Sequence, residues 1–388
     1  MKALLAKYQY SVLTITLTGD YKVIYQRFLE REISSDRHRG HVVNDCYPEK
    51  KEHTTKEIKV TSISYEDYVN GRKQRGFDTF YVDGSGVAAR SVMENLEFVA
   101  DIKSYTVIEK IKEGYSGDEK YKLEKDGEYF LLRVGDKNRL SEKKKEYNRL
   151  KAYTDKDINT HKPIVFGTTP DKFYSIVSWV NGTPIMDVIK EDVTKNYYQL
   201  GRKVGNELLR LHSSCPITSK INWQDIIDKK TSVFLKNYHS MNIDFACSKN
   251  AEQYILKNIC FMSNRPQVVL HGDFHWNNCV VDEMGNVGII DFSGGNIGDP
   301  WYEFGGLLWA LEYSDSFANG QIDGYFNTPP NEFWEVFKFY VALYAFEHLM
   351  YNNGTLEDTK NRIFNASRML KVFGEDFELE LPLFRYFR

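Results

Sequence analysis

His271-Gly272-Asp273-Phe274-His275-Trp276-Asn277-Asn278, followed a short way on by Ile289-Ile290-Asp291-Phe292, gathers the polar groups that phosphoryl transfer requires. An acceptor hydroxyl needs a carboxylate within reach of its proton. A nucleotide-bound magnesium ion needs oxygen ligands, typically an Asn amide and an Asp carboxylate from separate segments. Asp273, Asn278 and Asp291 supply these groups. Between them, Cys279-Val280-Val281 and Val287-Gly288-Ile289-Ile290 read as two apolar strands joined by a turn through Met284-Gly285-Asn286, a hairpin that returns Asp291 to the side of Asn278. Taken singly, each of the three also reads as a turn cap or a strand end, as most Asp and Asn near glycine do. The ordered set, continued by Gly298-Asp299-Pro300-Trp301-Tyr302-Glu303-Phe304, favours a site.

His-Gly-Asp-Phe-His-x-x-Asn, Ile-Ile-Asp-Phe and Gly-Asp-Pro-x-x-Glu-Phe resemble the catalytic and metal-binding motifs of the aminoglycoside and macrolide phosphotransferases, relatives of choline kinase and the protein kinases. The resemblance covers residues 105 to 345. It implies that Asp273 is the catalytic base and that Asn278 and Asp291 hold Mg²⁺. It also implies an α+β, two-lobed protein-kinase-like fold, with a β-rich N-lobe over residues 105–180 and a helical C-lobe over residues 181–388. Three positions depart from the pattern. Ser293 follows Phe292 where protein kinases have Gly, Glu303 stands where many relatives have Asp, and Arg133 stands where the family usually has Lys.

Upstream, residues 105 to 111 read as a first strand, Gly114-Tyr115-Ser116-Gly117 as a turn over phosphates, and residues 120 to 124 as the returning strand. Backbone N–H groups in a tight glycine turn bind anionic oxygens without side chains in the way. Asp126-Gly127 is a two-residue hairpin signal, after which residues 129 to 134 form the strand bearing Arg133. In the kinase-like fold a cation here meets the ATP phosphates and pairs with a helix Glu. Arg supplies that charge with a forked geometry. Glu146, or else Glu142, in the following charged amphipathic helix is the expected partner, with an exposed salt bridge as the alternative for either. The apolar run ending in Ser178-Trp179-Val180 resembles the hinge whose backbone edge receives adenine, with a plain buried strand as the alternative.

Residues 197 to 212 repeat apolar side chains at helical spacing, at Leu200, Val204, Leu208 and Leu211. His212 reads as a core histidine, and His271 as one that holds the catalytic loop through a buried hydrogen bond. His275, two residues beyond Asp273, is a candidate substrate contact. Residues 301 to 313 and 333 to 351 read as helices, and residues 319 to 330 as a Gly- and Pro-rich loop suited to acceptor recognition. Glu303, Glu312, Asp315 and Asp323 are there read as acceptor-facing charge, as a polycationic amino-sugar would require, or else as plain surface acids.

The first 104 residues read as a small α/β segment resembling the C-terminal half of a P-loop kinase, with a β-rich start and an Arg-rich stretch around Arg37-His38-Arg39. The chain contains no Gly-x-x-x-x-Gly-Lys-Ser/Thr, so the phosphate cradle of such a domain is missing. Gly84-Ser85-Gly86-Val87-Ala88-Ala89 formally matches a dinucleotide fingerprint but lacks the surrounding βαβ unit, and reads as a turn.

A net charge of −3 over 388 residues gives no reason to expect a nucleic-acid partner. Lys143-Lys144-Lys145 reads as a solvated face. The five cysteines are scattered and form no C-x-x-C pair, which indicates neither a disulfide framework nor a zinc site and fits a reducing cytoplasm. No stretch is long and apolar enough for a signal or membrane segment, so no membrane association is expected. Taken together, the sequence implies an ATP- and Mg²⁺-dependent O-phosphotransferase for a small-molecule hydroxyl, with GTP as the alternative donor. An aminoglycoside-type antibiotic is the leading acceptor; choline, another amino alcohol or a sugar is the alternative. A nucleotide-binding pseudokinase is the non-enzymatic reading. The oligomeric state is left open.

Overall fold

Asp126 and Gly127 both take positive φ, 54° and 81°, as a type I′ turn demands. They join β2 (Glu119–Lys125) to β3 (Glu128–Asp136) in an antiparallel pair that runs from Lys125 opposite Glu128 to Glu119 opposite Val134. The computed structural model describes residues 96–111, 117–217, 219–292, 296–351 and 355–385. The chain divides into two compact units, Met1–Lys110 and Ile111–Arg388. Of the first unit the described part holds a 3₁₀ turn, Ile102–Ser104, and the strand β1, Thr106–Ile111, whose last residue opens the second unit. The P-loop-kinase-like segment, the Arg37 stretch, the turn at Gly84, and Gly114 and Ser116 of the expected phosphate turn all lie outside the described residues.

In the second unit β3 pairs antiparallel with β5 (Lys172–Ser178), and β5 with β4 (Pro163–Thr168), giving the order β2-β3-β5-β4. Because side chains alternate across a strand, Lys120, Leu131, Arg133 and Val177 share one face of this sheet. Phe166 of β4, opposite Ser175 and so on that same face, meets Tyr147 of α1 (Leu140–Tyr153) with ring centroids 5.2 Å apart, which places α1 on the face that carries Arg133.

After Val180 a two-residue strand, β6 (Thr183–Pro184), leads into a mainly helical part: α2 (Ile185–Glu191), α3 (Tyr198–Ser214), α4 (Trp223–Met241) and α5 (Ser248–Asn258). Asn222 caps α4 by accepting from Asp225 N–H at 3.3 Å. Two short antiparallel pairings brace the segment from His271 to Asp291. One joins β7 (Val268–Val269) to β10 (Ile297–Gly298); the other joins β8 (Cys279–Val281) to β9 (Val287–Ile289), the hairpin expected from sequence. The helices α6 (Leu307–Ala310), α7 (Asp315–Phe326), α8 (Asn331–Leu349) and α9 (Leu356–Lys371) complete the unit. α8 is apolar on nearly all sides and correspondingly buried, with Phe333, Phe337, Phe339, Tyr340 and Phe346 fully out of water. Each such ring contributes roughly 1.5–3 kcal/mol of burial, so this helix is the centre of the core.

The expected Gly- and Pro-rich loop at 319–330 is mostly helix, because α7 runs through to Phe326. Its glycines do not loosen the chain; they let two helices touch. A Cβ on Gly201 or Gly205 of α3 would collide with the carbonyl oxygens of Phe317 or Gln321, and one on Gly320 or Gly324 of α7 with those of Tyr198 or Arg202. Glycines four apart on both helices thus bring the backbones into contact.

Candidate active site

The loop between β7 and β8 is held from beneath by Glu303. This carboxylate, buried in the 3₁₀ turn Pro300–Gly306, accepts from His271 N–H at 2.8 Å and Gly272 N–H at 2.7 Å. His212 Nε2 lies 3.0 Å from the same group, and His212 Nδ1 lies 2.9 Å from the Tyr325 hydroxyl. Burial pushes the Glu303 carboxyl up, but His212, His271 and the Gly272 amide outweigh it and hold it below its ordinary value. Glu303 therefore cannot face an acceptor: it is 3% exposed and its oxygens are committed to the loop. His212 is a core histidine, as its place in the helical repeat indicates.

His271 is fully buried and ties the two halves of the site together. Its Nε2 donates to the Ile290 carbonyl at 3.0 Å, while its Nδ1 accepts from Asp273 N–H at 3.2 Å. Burial pushes its pKa down. Asp273 leaves this loop with its side chain half exposed. Burial raises its carboxyl, but a hydrogen bond and charge from His275, whose Nε2 is 3.5 Å from Oδ1, prevail and keep the group low. Asn278 Nδ2 donates to the Asp273 carbonyl at 2.9 Å and to Oδ2 at 3.2 Å. Ile290 N–H in turn donates to the Asn278 carbonyl at 2.9 Å. The hairpin thereby sets Asp291 beside Asn278.

Asp291 has φ of 62°, a conformation that costs a non-glycine residue about 1–3 kcal/mol and collects at functional sites. Its Oδ1 accepts from Arg133 at 2.9 Å. Burial opposes ionisation, but the guanidinium overrides it and holds the carboxyl at about 2. The expected partner of Arg133, Glu146, is instead bonded to Lys143 at 2.9 Å, and Glu142 to Arg139 at 3.2 Å. The pairing differs because α1 offers its own cation one turn away, while Asp291 reaches Arg133 from the loop after β9.

At the end of β5, Ser178 N–H donates to the Lys162 carbonyl at 2.8 Å and Trp179 N–H to the Tyr129 carbonyl at 2.9 Å. His161 Nδ1 lies 2.7 Å from the Ser178 carbonyl. These bonds fix the strand exit that leads to Val180. Gly117 takes φ of 69° in open space. Glu312 is paired with Arg368 at 3.1 Å, and Asp323 is buried between Tyr198 at 2.9 Å and Arg385 at 3.1 Å. Asp315 opens α7, and burial raises its carboxyl. Asp299 is also structural: it is fully buried, accepts from Arg265 at 2.6 Å and from Tyr340 at 2.6 Å, and caps Trp301 N–H at 3.0 Å.

Sequence reading missed His161, Thr160 and Lys120. Thr160 donates to the Ile289 carbonyl at 2.7 Å, so the segment after α1 supports the hairpin that carries Asp291. No local pattern marks His161 or Thr160. Lys120 was findable, because the Asp126-Gly127 turn fixes the register that sets it opposite Arg133.

Among solved structures, a thermostable mutant of aminoglycoside phosphotransferase APH(4)-Ia in ternary complex with ADP and hygromycin B matches with a TM-score of 0.55 at 15% identity, covering 72% of this chain and 97% of that one. ADP-bound APH(2″)-Ib matches with a TM-score of 0.52 at 14% identity over 72% of this chain and 98% of that one. The gentamicin complex of APH(2″)-IIa matches with a TM-score of 0.50 at 16% identity over 74% and 98%. At such identities the likeness shows the fold, a two-lobed kinase-like architecture with a sheet-built N-lobe and a helical C-lobe. A search of curated proteins finds no match. The family signature extends over residues 107–337, more than half of the chain, and this protein belongs to the phosphotransferase enzyme family.

Proposed function

We propose that this phosphotransferase moves the γ-phosphoryl group of ATP, with GTP as the alternative donor, to the hydroxyl of a small molecule, with Mg²⁺ as cofactor. The observation that carries the reading is the single hydrogen-bonded chain Asp273, Asn278, Ile290 and Asp291, closed by Arg133. Asp273, ionised at neutral pH and half exposed, is placed to accept the acceptor's proton. His275 steadies that carboxylate and borders the acceptor. Asn278 offers its amide oxygen and Asp291 its second carboxylate oxygen, an all-oxygen set that suits a magnesium ion, which keeps waters and takes its other ligands from phosphate. Held by these two residues, Mg²⁺ would supply positive charge against the negative charge that develops in the transfer. Arg133 grips phosphate, Gly117 is the described part of the expected phosphate turn, and adenine lies against Ser178, Trp179 and Val180. Since Ser178 N–H and Trp179 N–H are engaged within the protein, the Val180 amide is the donor we assign to the base. Glu146 acts indirectly, by anchoring Lys143 beneath the phosphate region.

The leading acceptor is an aminoglycoside, with antibiotic resistance in the cytoplasm as the corresponding role; the fold neighbours named above include complexes with hygromycin B and gentamicin. A second reading, choline, another amino alcohol or a sugar, is favoured by a specific observation. Three of the four acids expected to greet a polycation are occupied, Glu303 and Asp323 by burial and Glu312 by Arg368. An ADP-release screen against aminoglycosides, amino alcohols and sugars decides between them. Release with none of the three classes would refute this account of the acceptor.

A further inference from the structure

The strand β9, which leads to Asp291, lies at the edge of the sheet β6-β8-β9, with one side turned away from β8. A strand edge presents N–H and C=O groups that need partners when buried. Here the partners come from the segment between α1 and β4. The Asn159 carbonyl accepts from Ile289 N–H at 2.9 Å, and the buried Thr160 hydroxyl donates to the Ile289 carbonyl at 2.7 Å, where the two chains form a one-residue parallel bridge. Ile290 is held by other elements, its N–H by the Asn278 carbonyl and its carbonyl by His271. The backbone groups of both residues before Asp291 are therefore engaged, and those of Ile289 are engaged from outside the motif.

The next two residues of the same segment hold the strand exit to which the base is assigned. A carbonyl only accepts, so His161 Nδ1 donates to that of Ser178, at 2.7 Å. Lys162 N–H donates to Ser178 Oγ at 2.7 Å, and the Lys162 carbonyl accepts from Ser178 N–H at 2.8 Å. The two ends meet again at Gly288 of β9, where a Cβ would come within 2.5 Å of Val180 Cγ1 and 3.0 Å of Asn159 Nδ2. Four consecutive residues thus join the strand that delivers Asp291 to the edge that leads to Val180.

We propose that residues 159–162 form a link that sets Asp291 relative to the bound nucleotide, and that Thr160 is a positioning residue for the metal ion. The proposal rests on the nucleotide and metal reading given above. A left-handed residue such as Asp291, with φ of 62°, keeps its conformation only where its surroundings over-determine it. Loosening Ile289 lets that backbone relax. The carboxylate then leaves the place that a magnesium ion, with its strict octahedral geometry, requires.

The test uses the full-length protein and calorimetric titration with ADP, Mg²⁺ and adenosine. Thr160→Val keeps the shape of the side chain and removes the hydroxyl. At saturating ADP, the Mg²⁺ concentration for half-saturation should rise roughly tenfold, the lower end of the scale for losing support behind a metal ligand. Metal-free ADP affinity and adenosine affinity should stay unchanged. Thr160→Ser, which keeps the hydroxyl, should restore most of the loss. An unchanged Mg²⁺ midpoint, no recovery in Thr160→Ser, or an equal fall in adenosine affinity would overturn the proposal, the last by showing a purely structural role. Wild-type ADP binding that does not respond to Mg²⁺ would sink the metal reading itself, and this inference with it. A second measurement needs no variant. In wild-type protein, adding Mg²⁺ to the ADP complex should slow amide hydrogen exchange in peptides spanning residues 159–162 and 287–291 together, because the Ile289 N–H is bonded to Asn159. Slowing in the second peptide alone, or in neither, overturns the proposal.

Discussion

At the scale of one residue, Glu303 shows how a buried charge can serve a loop it never joins. Its carboxylate satisfies two backbone donors and a histidine, so Glu303→Ala leaves His271 N–H, Gly272 N–H and His212 without it. Removing one partner of a buried charged network costs about 3–5 kcal/mol. Urea unfolding should show a loss of that size, and a change under about 1 kcal/mol would mean the loop is held by other means. Asp273→Asn is expected to behave differently: fold and nucleotide affinity persist, while turnover falls by ~10²–10⁴-fold with the loss of a general base. Activity within a few-fold of wild type would show that Asp273 has another role. His161 sets a pH dependence. Burial pushes its pKa down to about 4, below the unfolded value of about 6.5, so the unfolded chain binds the extra proton first. The stability from its neutral form is therefore complete above about pH 6.5 and lost progressively as pH falls towards 4. In His161→Gln the slope of stability against pH across that window should flatten, and an unaltered slope would assign it to other groups.

At the scale of elements, the contact between α3 and α7 is the most sensitive joint in the helical lobe. Four glycines, Gly201 and Gly205 on one helix and Gly320 and Gly324 on the other, let carbonyls and Cα atoms meet directly. A single methyl group has no space to enter. Gly205→Ala should destabilise by about 1–3 kcal/mol through overpacking, despite alanine's better helix propensity. The comparison that isolates the effect is Gly127→Ala, where a Cβ meets open space and only the positive φ of the turn is penalised. If both substitutions lower the melting temperature equally, close packing is not what the α3 and α7 glycines provide.

At the scale of the whole molecule, the residues we propose to carry chemistry lie in the unit Ile111–Arg388. We expect deletion of residues 1 to 100 to leave phosphoryl transfer intact with reduced stability, since every group in the hydrogen-bonded chain from Asp273 to Arg133 remains. Turnover and thermal denaturation of the truncated protein check this together. A soluble, folded truncation inactive towards every acceptor would give the first segment a part in function; aggregation would make it a cover for an apolar surface.

The sequence by itself determined whatever rests on short-range chemistry. The Asp126-Gly127 turn, the hairpin from Cys279 to Ile289, the helical repeat ending at His212, and the order Asp273, Asn278, Asp291 all depend on neighbours within a few residues. Only the tertiary structure decided which groups spend their charge inside the protein. Glu303 is drawn to the loop amides, Arg133 to Asp291, Glu146 to Lys143, and Asp323 to Tyr198 and Arg385. α7 belongs with these: its Gly-rich sequence has low helix propensity, and its helix is stabilised by the surface it shares with α3. An ion pair or a helix contact between segments far apart in sequence depends on where each segment lies in space. The low-dielectric interior then makes that pairing obligatory, because a buried charge left without its partner costs more than the fold can spare.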